Sequence, residues 1–316
     1  MQVRKINEAE WWDFVERCPT ATFFHTPDWY RVWKEYEGNH YEARLLTLKS
    51  GKKVLLPLFY RRRLKRLVKA FFSGPAGTYG GILQMDNLST QDIQDIEYYI
   101  SSFSFLSIRA NPLNPIFTEK IFTNQGFTQI VNLQTCTNDL TQKWSDNHVR
   151  SLKKGVKNNI KVKEAKTMTE WKAYYDIYQD SRKRWGASAS NNYDWKLFEV
   201  ISQLDSNRCK LWLAFLGGEI ISGCLCFYFN QHVVYWHGGT FKAYLKDRPA
   251  HILHFHIIKK AIENNFKWYD FNPSGGHEGV VKFKKGFGTD IYSANIFKKK
   301  SIIFSLSFLL KNKITK

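Results

Sequence analysis

Nothing in the 316-residue sequence reaches the run of about 18 apolar residues that a membrane-spanning helix needs. The opening, MQVRKINEAEWW, lacks the apolar stretch of a signal peptide, so the chain is expected to stay on the cytosolic side. Cysteine is sparse: Cys18, Cys136, Cys209, Cys224 and Cys226 are odd in number, scattered, and show no C-x-x-C spacing. That excludes a zinc or redox motif and predicts reduced, mostly buried thiols. The glycine-rich segment SGPAGTYGG, Ser73 to Gly81, lacks the lysine and hydroxyl that close a phosphate loop and reads as a plain connection. Acidic residues are in deficit, 28 against 47 Lys and Arg, for a formal charge of +19. The long-range field therefore favours anionic partners: nucleic acid, a nucleotide cofactor, a pyrophosphate-linked sugar or an anionic membrane surface.

What is present argues for packed domains. Hydrophobic residues make up 43% of the chain and aromatics 16%, with 11 Trp and 24 Phe, which excludes a disordered polypeptide. The length favours two compact domains over one large one. Asn7 with Glu10 forms a capping box for a helix over 8–17. Thr26, Pro27 and Gly38 bracket a second over 27–37. Two strands, 41–48 and 53–60, meet at Ser50-Gly51. The run RRRLKRLVK packs six positive charges into nine residues. A helix over 90–102, a strand over 105–109, a short helix near 117–124 and a strand over 127–135 complete a first α/β unit, ending near residue 140.

A very basic helix over 141–158, with Lys143, Arg150, Lys153, Lys154 and Lys157, is expected to bridge two halves. Helices over 169–185 and 193–204 lead to three apolar, aromatic runs, CKLWLAFLG, EIISGCLCFYF and HVVYWHGG, which read as an antiparallel meander. Pro249 opens a helix to about Asn264, and 267–271 reads as a further strand. A helix returning to a strand beside the last one splits that pair near the helix N-terminus and leaves a cleft.

That order, followed by KWYDFNPSG and VKFKKGFGTD, resembles the carboxyl half of Fem-type peptidyltransferases and of the BioF2-like acetyltransferase domains of the GNAT superfamily. FFHTPDWYRVW resembles their opening helix, and SLKKGVKNNIKVKEA the linker helix before their second domain. The likeness covers most of residues 10–295, and FKKGFG at 283–288 is its most specific part. It implies an α+β fold of two tandem GNAT-like domains, with mixed, mostly antiparallel sheets flanked by helices. The expected division is an N-terminal domain over 1–140, a linker helix and helical entry over 141–205, a catalytic core over 206–297 and a tail over 298–316. It further implies an acyltransferase in which activated acyl group and amine meet in a cleft of the second domain or between the two. Two departures stand out. YLKDRPAH has no glycine where GNAT enzymes carry the Q/R-x-x-G-x-G/A loop for the acetyl-CoA pyrophosphate, and there is no coiled-coil insertion of the kind some Fem-type enzymes carry.

Acyl transfer to an amine needs a neutral nucleophile, a polarised carbonyl and in-line placement. The family lysine maps to Lys284, which is expected to stabilise the carbonyl oxygen or hold a donor phosphate from an ordered loop, against the plainer reading of a solvated turn lysine. Lys282 is a weaker candidate of the same kind; Phe283 and Phe287 would fix the loop, and Gly286 and Gly288 would permit turns. Asp270 either orients an amine or anchors the turn that begins at Asn272. His237, read as alternating with Val233 and Tyr235, faces the cleft as a base or is a partly buried structural histidine; Glu278 is a second candidate base. Arg248 at the head of a helix, and Arg150, are candidate phosphate contacts. His251, His254 and His256 read as structural, with no metal site expected.

The tail KKKSIIFSLSFLLKNKITK suits either a helix lying on an anionic membrane surface or docking on the protein itself. Three functions follow. The first is an N-acyltransferase acting on a phosphate-bearing or lipid-linked cell-envelope or surface-glycan precursor, with acyl-CoA as co-substrate and no permanently bound cofactor. The second is aminoacyl transfer from tRNA to a peptidoglycan precursor, as the Fem-type likeness implies, with tRNA as donor only. The third is a non-enzymatic basic module at a membrane surface or on nucleic acid.

Overall fold

The computed structural model of the chain describes residues 1–63, 68–114, 116, 122–137, 139–186 and 192–301. The centre of the basic run, most of the helix expected near 117–124 and the apolar tail lie outside the described residues. Two units are present, Met1–Phe127 together with the chain from Tyr292 on, and Thr128–Ile291.

In the first unit, the Asn7–Glu10 capping box starts α1 (Glu8–Arg17), and Pro27 and the left-handed Gly38 (φ +70) bound α2 (Pro27–Glu37). Strands β1 (Gln2–Ile6), β2 (His40–Thr47), β3 (Lys53–Arg63), β4 (Val68–Ser73), β6 (Phe105–Arg109) and β14 (Ile296–Lys300) lie in that order, with the short β5 (Leu83–Gln84) beside β3. All of these pairings are antiparallel except β4–β6. Leu56, Leu106 and Ile108 pack under α3 (Thr90–Ser101) through Ile96 and Ile100. The glycine-rich segment after β4 folds tightly. A Cβ on Gly74 (φ +91) would stand 2.6 Å from the Thr78 carbonyl oxygen, and Thr78 and Tyr79 are fully buried. His25 clamps the segment through Nε2, 3.1 Å from the Gly80 carbonyl oxygen; burial lowers its pKa to about 4.

The second unit builds a sheet in the order β8 (Lys161–Glu164), β9 (Cys209–Leu216), β10 (Glu219–Phe229), β11 (His232–Thr240), β12 (Trp268–Asp270), β7 (Phe127–Asn132) and β13 (Asp290–Ser293). β11–β12 is parallel, while β8–β9, β9–β10, β10–β11 and β12–β7 are antiparallel. One face carries α5 (Met168–Trp185) and α6 (Trp195–Ser202), through contacts such as Tyr174 with His237. The other packs on α7 (Pro249–Glu263), whose Ile252, Leu253, Ile257 and Ile258 join the core.

Four features depart from the sequence reading. The strand at 127–132, expected to close the first unit, pairs with β12 in the second sheet, and the chain returns after residue 292 to supply β14 to the first. The basic helix α4 (Asp146–Lys157) packs on α7 within the second unit: its buried stripe His148, Ser151, Leu152 and Gly155 follows helical spacing, and Gly155 leaves room for Ile252. FKKGFG is not a loop, because α8 (Glu278–Lys285) runs through its first residues. Gly286 is right-handed (φ −61), so it serves proximity, whereas Gly288 (φ +71) does need left-handed freedom.

Candidate active site

β11 and β12 stay paired only from His232–Trp268 to Val234–Asp270, after which β11 continues to Thr240 and the other chain turns away. The turn is made by Asn272 in the left-handed region (φ +59). Asp270, fully buried, fixes it: its Oδ1 accepts from the Asn272 N–H at 2.7 Å and from Thr128 Oγ1 of β7 at 2.6 Å. Lys284 projects from α8 to this point and is 4% exposed; its Nζ donates to the Asn272 carbonyl oxygen at 2.6 Å. It is therefore not a solvated lysine. Burial pulls its pKa down to about 8, and the charge of Asp270 opposes that fall. Asn272 Oδ1 is buried here without a hydrogen-bond partner among the described residues.

Aromatic rings wall this position. Phe271 and Phe287 stack at 5.1 Å, His254 lies 4.9 Å from each, and Phe283 packs edge-on to Phe287 at 5.0 Å. His254 is held neutral by burial and meets the Tyr269 hydroxyl at 2.7 Å. His148 of α4 sits 4.6 Å from His251, and its Nε2 lies 2.9 Å from the Phe283 carbonyl oxygen. A Cβ on Gly286 would overlap the His148 ring. Sequence reasoning passed over His148 and Thr128. The 148, 151, 152, 155 stripe of a basic helix was the available signal for the first; the second is reached only through the long-range pairing of β7 with β12 in the second sheet.

The other sequence candidates do not gather at Lys284. A β-bulge at Trp236 breaks the strand alternation: Leu225 pairs with His237 but Cys226 pairs with Tyr235. Tyr235 accordingly contacts His254 and Phe271, while His237 faces α5 and α6 in a cage of Tyr174, Tyr178 and Phe198. The Tyr174 hydroxyl lies 2.5 Å from His237 Nδ1, and burial lowers the histidine to about 4. Glu278 stands exposed in the first turn of α8, and Lys282 is exposed further along it. Arg150 is exposed on α4. Arg248 is exposed at the head of α7 in the left-handed region (φ +63), after a 3-10 turn over Lys242–Asp247 that holds no glycine. His256 packs at 5.0 Å from Trp212, and among the described residues no His, Cys, Asp and Glu cluster suited to a metal occurs.

The parallel pair that parts, with a helix on either side of the parting, corresponds to a recognised domain: residues 145–285 match the acetyltransferase (GNAT) domain family. This part of the chain is a GNAT-type acetyltransferase domain. The whole chain is similar in fold to FemX, at 12% identity and a TM-score of 0.74 over 98% of this chain and 99% of that one. It is also similar to the C-terminal domain of a protein assigned as a lysylphosphatidylglycerol synthetase from Agrobacterium fabrum (11% identity, TM-score 0.57, 96% of each chain). L-PGS from Bacillus licheniformis gives 9% identity and a TM-score of 0.50 over 92% and 96%. No curated protein matches the sequence. Two α+β units thus make up the chain, and the acetyltransferase domain of the second makes it an acyl-transferring enzyme. No helix among the described residues is long and apolar enough to cross a membrane.

Proposed function

We propose that the acetyltransferase domain moves an acyl group from acyl-CoA to an amine of a phosphate-bearing cell-envelope or surface-glycan precursor, with the reacting carbonyl in the β11–β12 parting. The observation that carries this is Lys284: a buried amine, charged below pH 8, fixed at the one place where the parallel pair opens. In the transfer the neutral acceptor amine forms the new C–N bond while negative charge grows on the carbonyl oxygen. Lys284 donates to that oxygen, and the buried Asn272 Oδ1 accepts an N–H of the incoming amine. The C–S bond then breaks, and the proton released by the amine ends on the departing thiolate. Asp270 and His148 act through position, by holding the Asn272 turn and the last turn of α8. Arg248 at the helix head is the phosphate contact, in a location where unpaired N–H groups already attract anions.

A second reading, aminoacyl transfer from tRNA to a peptidoglycan precursor, is favoured by the 3-10 turn over Lys242–Asp247, which offers no glycine to wrap a pyrophosphate. The name of the lysylphosphatidylglycerol synthetase, whose product is an aminoacylated phospholipid, leans the same way. Either donor is a cytosolic molecule, which sets the enzyme at the cytosolic side. Purified full chain incubated with labelled acetyl-CoA and, separately, with labelled aminoacyl-tRNA decides between them. Labelling of amine acceptors by one donor, lost in Lys284→Ala, supports the corresponding reading. A Lys284→Ala enzyme that turns over normally discards the role of this lysine, and inertness toward both donors discards both readings.

A further inference from the structure

Arg109 ends β6 in the first unit, one residue past the last pair of the β4–β6 ladder, Ser73 with Ile108. The parting of β11 and β12 in the acetyltransferase domain follows a last pair in the same way, after Val234 and Asp270. Leu106 and Ile108 face the core under α3, so strand alternation sends Ser107 and Arg109 to the opposite face. There the guanidinium reaches Gly126, on which a Cβ would stand 3.3 Å from Nη1. The glycine-rich segment is pinned alongside: Gly80 N–H donates to the Arg109 carbonyl oxygen at 3.0 Å, and Gly81 N–H to Ser73 Oγ at 2.7 Å.

Arg109 is part-buried, yet its side chain meets no carboxylate, carbonyl or hydroxyl among the described residues, and burial alone acts on it, lowering its pKa. Other part-buried arginines of this unit are matched, Arg44 with Glu42 and Arg31 with Asp28 and Glu8. A guanidinium cannot shed its proton, so the N–H donors of Arg109, partly desolvated and unmatched by a protein acceptor among the described residues, stay open to a ligand. Their planar fork matches the two oxygens of a phosphate or carboxylate. Ligands of open α/β sheets settle where the carboxyl ends of parallel strands part. We propose that Arg109 anchors an oxyanion-binding site at the β4–β6 parting of the first unit, gripping one anionic group of a ligand in bidentate fashion. This stands apart from any role of Lys284.

The test uses the full chain labelled with [15N]arginine, titrated at constant ionic strength with inorganic phosphate and, separately, with acetate. Because a chain of charge +19 is stabilised by any anion, melting is followed in parallel for wild type, Arg109→Met and the exposed Lys49→Met control. The expected result is a saturable shift of one arginine side chain, with a ligand-dependent rise in melting temperature that Lys49→Met keeps and Arg109→Met loses. A response to phosphate alone or to acetate alone assigns the chemistry of the bound group. Should Arg109→Met not fold, Arg109→Lys replaces it, retaining charge without the fork, and is expected to bind about ten-fold more weakly. The proposal is overturned if neither anion produces a saturable shift, or if the Arg109 variant responds as wild type does.

Discussion

The Nε2 atom of His148 lies 2.9 Å from the Phe283 carbonyl oxygen, and its ring fills the volume that a side chain at residue 286 would need. A helix from one end of the acetyltransferase domain thereby fixes the turn that carries Lys284. Gly286→Ala drives a methyl group into that ring, and an overpacked core costs on the order of 2 kcal/mol. His148→Ala in the same chain empties the space and should return part of the loss. Urea unfolding of both single variants and the double variant measures the coupling, and simple additivity would contradict the wedge.

Turnover should fall as pH rises above about 8, because Lys284 loses its proton there and with it the charge offered to the carbonyl oxygen. In Lys284→Arg the charge does not titrate, so whatever activity survives should show no fall in that range. A pH–rate profile of both proteins checks this, and a shared alkaline limb would assign the titration to another group.

Stability carries the opposite sign. The amine binds its proton less well in the folded chain, about 8, than in the unfolded chain, at the ordinary 10.5, so folding is penalised below pH 8 and relieved as pH climbs to 10.5. Relative to Lys284→Met, wild type should gain on the order of 3 kcal/mol across that window. Chemical unfolding at pH 7.5 and pH 10.5 gives the difference; a constant gap between the two proteins would mean the lysine is better solvated than its burial indicates.

Acid should act through His251, which burial first, and the charges of His148 and Arg248 after it, lower to about 4. The unfolded chain takes up a proton between the ordinary 6.5 and about 4 that the folded chain refuses, so stability present above pH 6.5 is lost as pH falls toward 4. His251→Phe keeps the ring packing and removes that proton, and its melting temperature should depend less steeply on pH over this interval.

Asp270→Asn removes the charge that props up Lys284 while leaving an oxygen to accept from Thr128 and the Asn272 N–H. The alkaline limb of the rate profile should move below pH 8, with KM changed less than kcat. An unmoved limb with a lowered melting temperature would leave Asp270 with the turn alone.

The helices at 8–17 and 27–37 were legible because their boundary signals are local, wherever the element later packs: the Asn7 side chain accepts from the Glu10 N–H in the first, and Pro27 and the left-handed Gly38 bound the second. The meander from Cys209 and the helix behind Pro249 were legible for a similar reason, since turn residues and apolar runs mark them. Strands β7 and β14 were misplaced or unseen because their partners lie far along the chain, β7 joining Trp268–Asp270 and β14 joining Phe105–Arg109. One extra residue at Trp236 was enough to turn His237 to the face opposite Tyr235, and no alternation count contains that bulge. Lys284 entered through the FKKGFG resemblance; its burial, and the helix that delivers it, could not be read from a segment so rich in glycine and lysine. Arg109 is invisible to motif reading because what distinguishes it is the lack of a side-chain partner among the described residues.

The pairing of β14 with β6 also constrains how the protein is made. Residues 296–300 complete the first sheet, yet they leave the ribosome only after the whole Thr128–Ile291 unit has been synthesised. Until then β6 presents an open edge, the kind of surface on which nascent chains stick to one another. Closure of the first sheet is thus a late, post-synthetic event that depends on a strand from the far end of the chain.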